Sequence, residues 1–238
     1  MDEKFFQLYN VPSQGTLAKS FLANVFIWMS GALATSAMFA WFFASSPSLM
    51  LHLVNETGFT ILGYVVSFAP LGLVLILSFG WQRFSLPAIM GIFITYSILT
   101  GISLSFIFLI YTLGSIATVF LIASAMFALM AILGYTTKTD LTAFGSLMMM
   151  GLFGIMIAVV VNWFLKSDTL SYIVSCISVL VFTGLTAYDV QKLKYIGMSA
   201  DSDGMTMRKV AIMGALELYL DFLNLFLSLL RLFGSRRD

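Results

Sequence analysis

Seven apolar runs, 21–43, 60–80, 87–111, 115–135, 141–164, 169–191 and 209–233, alternate with short polar breaks along the chain. A helix of about 20 apolar residues crosses the ~30 Å hydrocarbon core of a bilayer. Within that core an unpaired backbone group finds no water, so each run must close its hydrogen bonds as a helix. The breaks have the chemistry of turns. SSPSLMLHLVNETG separates the first two runs, WQRFSLP the next two, and TLG marks a tight third connection; TTKTD, LKSD and the longer QKLKYIGMSADSDGMTMRK follow. The pattern predicts an all-α polytopic membrane protein, a seven-transmembrane-helix bundle. Residues 1–20 form a cytosolic N-terminal stub and 21–238 a single transmembrane domain. No short apolar core with a small-residue cleavage site precedes the first run, which is therefore read as a retained span.

Composition sharpens this picture. Hydrophobic residues make up 60% of the 238 and charged residues 10%, against roughly 25% charged in soluble domains. The net charge of +1 and the scattered basic residues give no footprint for nucleic acid. The single cysteine, Cys176, excludes a disulfide framework, and the single histidine, His52, stands in a loop. Basic residues favour the cytosolic side of membrane proteins. With the N-terminus inside, that side holds Lys4, Lys19, Arg83, Lys138, Lys192, Lys194, Arg208 and Lys209, whereas Lys166, Arg231, Arg236 and Arg237 fall on the other. The distribution predicts a cytosolic N-terminus and a C-terminus outside.

The last run, ALELYLDFLNLFLSLLRLFG, carries a polar stripe. Glu217, Asp221, Asn224, Ser228 and Arg231 follow at steps of four, three, four and three, which puts them on one helical face. A charge facing lipid near the bilayer centre costs about 2.5–3.5 kcal/mol on insertion scales. The stripe is therefore expected to face protein or a water-filled cavity, with Arg231 reaching the outer interface. The sixth run offers a matching face in Ser171, Ser175, Ser178, Thr186 and Asp189. Arg83 closes the second run on the same side of the membrane. A purely structural ion pair, Arg83 with Asp189 or Asp221, competes with a functional cluster of carboxylates.

These segments carry a resemblance. GLTAYDVQKLK resembles the end of the sixth span of the transmembrane Bax inhibitor motif family, and ALELYLDFLNLFLSLLRLFG its seventh span almost residue for residue. The resemblance is to bacterial-type members, and the short loops and the lack of a Pro-rich N-terminal segment favour a bacterial plasma (inner) membrane over the endoplasmic reticulum. The resemblance implies a hydrogen-bonded aspartate pair, Asp189 and Asp221, acting as pH sensor and cation site, with Arg83 as latch. Glu217 stands where family members often have a small or amide side chain, and is expected as a possible additional acid. The connection between the sixth and seventh spans is longer than in compact members, so pairing requires the last helix to begin well before its apolar stretch.

The function implied is a pH-sensitive calcium leak. Two carboxyls in contact away from water do not both ionise easily, so one holds a proton. Carboxylate oxygens are also hard ligands suited to Ca²⁺, which makes Asp189 and Asp221 candidate ligands for a transported or bound ion. No cofactor is expected; the partners expected are the lipid bilayer, Ca²⁺ and H⁺. The alternative is a non-channel interaction protein that modulates a membrane quality-control protease or cell-death and stress partners. An enzyme is not expected. Intramembrane aspartyl proteases also place a YD aspartate on the sixth span, but their second aspartate follows a GxGD motif with PAL beyond. Here Asp221 follows LYL, and all four prolines precede the sixth run.

Overall fold

The computed structural model describes residues 14–55, 58–199 and 204–237. Its helices, in chain order, are α1 (Gln14–Ala44), α2 (Pro47–Leu53), α3 (Ile61–Gly80), α4 (Leu86–Leu104), α5 (Ile107–Ile110), α6 (Leu113–Thr136), α7 (Thr142–Leu165), α8 (Asp168–Met198) and α9 (Gly204–Phe233). Among the described residues seven stretches are long and apolar enough to span a bilayer, the third being α4 continued through α5. The protein is an all-α, multi-pass membrane protein.

Local chemistry sets the ends of these helices. Thr60, Thr112 and Ser167 cap α3, α6 and α8, each side chain accepting a hydrogen bond from the backbone N–H three residues on. Such caps satisfy amides that a helix N-terminus leaves unpaired. Pro47 and Pro87 stand in the first turns of α2 and α4, where a missing N–H costs nothing. The third apolar run is not one helix. It breaks at Ser105, whose buried hydroxyl donates to the Ile102 carbonyl at 2.6 Å. The first connection is more ordered than its turn-like composition predicts, holding α2 and a two-stranded hairpin, Val54–Asn55 against Gly58–Phe59.

Three helices exceed their apolar runs. α1 begins at Gln14, within the segment read as a stub; α8 continues to Met198; α9 begins at Gly204, five residues before Lys209. The longer α8 and α9 form an antiparallel pair. Lys192 meets Glu217, and Leu193 lies against Gly214.

The last helix is the axis of the bundle. α9 packs most extensively on α8, then on α1, α6 and α4. Its buried residues occupy all sides, from Ala211 and Leu218 to Phe222, Leu225 and Leu229. α7 is peripheral and packs on α8, as α3 packs on α4. The α6–α8 crossing is close: a Cβ on Gly134 would run into the backbone of Ala187. At the opposite end the C-terminal residues are tied down, with Ser235 accepting from the Thr112 N–H at 3.1 Å and Arg237 donating to Ile110 at 2.8 Å.

Candidate functional site

Asp189 lies on α8, partly buried, three residues before Lys192. Asp221 is 5% exposed on α9. The antiparallel register that matches Lys192 with Glu217 also brings the Asp189 and Asp221 carboxyls within hydrogen-bonding reach of each other. Asp221 Oδ2 is buried and has no hydrogen-bond partner among the described residues. Asp189 is the neighbouring carboxyl, and a carboxyl donates only when it carries a proton. A buried acceptor left unpaired costs about 1–3 kcal/mol, so the contact favours one proton shared between two carboxyls.

Two further charged groups act on this pair, Glu217 and Lys192. They form an ion pair, Lys192 Nζ lying 3.1 Å from Glu217 Oε2 and 3.2 Å from Oε1, with side chains 39% and 41% exposed. Glu217 is thus beside the aspartates but held by its own counter-charge. The cation expected from the sequence is elsewhere. Arg83 is exposed in the turn after α3 and has no carboxylate partner among the described residues. Lys192, read from the sequence only as a topology signal, is the cation at the carboxylates. The signal that could have found it is its spacing, since Lys192 lies one turn from Asp189 and, in an antiparallel hairpin, faces Glu217.

The rest of the polar stripe turns back on its own helix. Asn224 Nδ2 donates to the Leu220 carbonyl at 2.8 Å, and Ser228 Oγ to Asn224 at 2.7 Å. On α8, Ser175 and Thr186 do the same to Ser171 and Phe182. Beyond Asp221 the surroundings of the helix are apolar, with Phe120 and Phe127 edge-on to Phe222 at 5.4 and 5.6 Å. Toward the other end, a cavity of about 440 Å³ opens beside Lys192, lined by Tyr188, Gln191, Tyr195, Thr206 and Met207. Gln191 fixes its rim, donating to the Thr139 carbonyl and accepting from the Leu141 N–H, both at 2.8 Å. Of the charged groups at the site, Lys192 is the one that lines this cavity.

A resident metal is a different matter. Among the described residues no three His, Cys, Asp or Glu side chains converge as a metal site. Ca²⁺ takes six to eight oxygens, and two mutually facing carboxyls do not make such a cage. A second polar cluster, missed by the sequence reading, lies across α9. Tyr219, fully buried, has its hydroxyl 2.6 Å from Ser36 Oγ, which donates to the Ser97 carbonyl at 2.7 Å.

Comparison with known proteins gives a consistent match over the whole bundle. The family model described as inhibitor of apoptosis-promoting Bax1 matches residues 18–238. The inner membrane protein YbhL of Escherichia coli K12 is 46% identical over 220 residues, covering 92% of this chain and 93% of its own. An uncharacterized protein of Borreliella burgdorferi is 40% identical over 222 residues, covering 93% and 94%. An uncharacterized membrane protein of Streptococcus pyogenes serotype M6 is 36% identical over 216 residues, covering 90% and 92%.

Proposed function

This chain belongs to the inhibitor of apoptosis-promoting Bax1 family, a multi-pass protein of the bacterial inner-membrane type, and from that premise we propose that it is a pH-sensitive calcium leak channel. The observation that carries the proposal is the buried Asp221 carboxyl beside Asp189, with one oxygen that has no hydrogen-bond partner among the described residues. The proton holds α8 and α9 together. Its loss leaves two like charges in a confined space, which at hydrogen-bonding separation repel by ~5 kcal/mol at an effective dielectric constant of about 20. Lys192 offsets part of that repulsion. The remainder favours separation of the helices, which frees carboxylate oxygens for a passing divalent cation. The basic end of the bundle, with Lys19, Arg83, Lys138, Lys192 and Lys194, is taken as cytosolic. The cavity beside Lys192 is then the cytosolic vestibule, and the apolar packing around Phe222 the barrier that opening must breach.

The test is Ca²⁺ flux into proteoliposomes across pH, for wild type, Asp189→Asn and Asp221→Asn. An asparagine amide still donates to a carboxylate, so both variants are expected to fold. Each should lose most of the pH dependence, because the coupled titration is gone. Glu217, one turn from Asp221, could act as substitute acid, so the double variant Glu217→Gln with Asp221→Asn is included. If that protein folds and keeps the wild-type pH-dependent flux, the aspartate pair is structural. Wild-type protein that passes no calcium but co-purifies with a membrane protease would favour the interaction role instead.

A further inference from the structure

α1 and α6 both pack on α9 yet scarcely touch each other. Between them lies a crevice of about 670 Å³, open along the side of the bundle. Its walls are apolar, with Phe26 and Leu33 on α1 and Phe120 and Phe127 on α6. Its floor is Val190 and Phe222, the residues that immediately follow Asp189 and Asp221. One end is different. There Lys19 and Tyr135 line the mouth, and Lys194 donates to the Tyr135 carbonyl at 2.7 Å with its ammonium 5.2 Å from the Tyr135 ring.

We propose that this crevice binds the acyl chain of an anionic phospholipid, with the phosphate held at Lys19 and Lys194. The crevice follows α1 from Lys19 to Leu33, fourteen residues or ~21 Å at 1.5 Å per residue. A leaflet is ~15 Å deep, half the ~30 Å core, so a full chain fits in line with its neighbours in the bilayer. Both lysines sit at the end of the helices where a headgroup of that leaflet would lie. The charge complementarity selects the occupant: basic pockets between transmembrane helices recognise anionic headgroups, whereas an apolar slot alone would accept any lipid. Ser124, which also lines the crevice, spends its hydroxyl on the Phe120 carbonyl at 2.8 Å. The walls therefore offer hydrocarbon little but apolar surface. A chain lodged there rests on Val190 and Phe222, the sequence neighbours of the two aspartates. This assignment stands on the crevice and its lysines and does not depend on calcium transport.

The experiment is native mass spectrometry of the detergent-solubilised protein titrated with phosphatidylglycerol or with phosphatidylcholine of the same chains. Wild type is expected to retain one phosphatidylglycerol with at least tenfold preference over phosphatidylcholine. Lys19→Gln should cut that preference about fivefold, the contribution of one lysine near an anionic surface. Ala23 and Ala128 line the crevice and are exposed, so Ala128→Trp or Ala23→Phe fills it without disturbing the core. Either should abolish retention of both lipids while thermal stability in detergent is maintained. Lys209→Gln, away from the crevice, is the charge control and should change nothing. Equal retention of the two lipids by wild type, or undiminished phosphatidylglycerol binding in both filled variants, would overturn the proposal.

Discussion

Lys192→Met is the sharpest probe of how charge is arranged at this site. The substitution keeps an apolar stem of similar length and removes the ammonium 3.1 Å from Glu217. At that distance the gross attraction is ~1.3 kcal/mol in water and ~5 kcal/mol at an effective dielectric constant of about 20. Both side chains are roughly 40% exposed, so solvent screening brings the net value toward the ~1 kcal/mol ceiling of exposed pairs. The larger consequence falls on the aspartates. Without Lys192, Glu217 is an uncompensated negative charge one turn from Asp221, and ionisation of the pair loses its nearest counter-charge. The shared proton is then held more firmly, and the pH at which calcium flux rises moves upward. If Lys192 acts on the aspartates about as strongly as on Glu217, ~1 kcal/mol, the midpoint moves by a little under one pH unit at about 1.36 kcal/mol per unit. The assay is the flux–pH midpoint in proteoliposomes, run as a double-mutant cycle with Glu217→Gln. Removing both charges should bring the midpoint back toward wild type. Arg83→Ala, at an exposed residue with no carboxylate partner among those described, should leave it in place. An unchanged midpoint in Lys192→Met, or a shift in Arg83→Ala, would refute the assignment of the controlling cation.

Three further outcomes follow from the packing. Gly134→Ala places a Cβ against the Ala187 backbone at the α6–α8 crossing; it should destabilise by ~1–3 kcal/mol, as overpacked cores do, read as a lower unfolding midpoint in detergent. Ser36→Ala leaves the fully buried Tyr219 hydroxyl without its 2.6 Å partner. It should cost more than Tyr219→Phe, which removes the hydroxyl instead, by ~1 kcal/mol; equal losses would show that the neighbouring Thr100 takes over the bond. In the loop before α7, Asp140 accepts from the Thr142 N–H at 2.9 Å and hydroxyl at 2.6 Å, and these bonds hold its carboxyl below the usual carboxylate value. A depressed folded-state value stabilises above the ordinary carboxylate range and is lost as pH falls through the lowered one. Asp140→Ala should therefore lower thermal stability at neutral pH, with the difference from wild type vanishing in acid.

The runs of apolar residues determined the number of spans, because backbone in hydrocarbon has no alternative to the helix. They did not determine the true ends of α1, α8 and α9, whose polar extensions are held helical by contacts between elements: Gly197 on α8 packs against Ala18 and Phe21 on α1. The spacing of Glu217 and Asp221 likewise marked the face of α9 that needs protein beside it. Hydrophobicity could not reveal that α9 is surrounded. Lipid tails are as apolar as a core of Leu and Phe, so the buried Leu225 reads the same as a leucine that meets lipid. Nor could spacing along one helix choose between Arg83 and Lys192 as the cation. That choice depends on which residues of two separate helices come opposite each other, and the antiparallel register of α8 on α9 decides it by setting Lys192 against Glu217 and Asp189 against Asp221. Asn224 and Ser228 show the limit of the same pattern: their face was legible, but their side chains return to the carbonyls of their own helix.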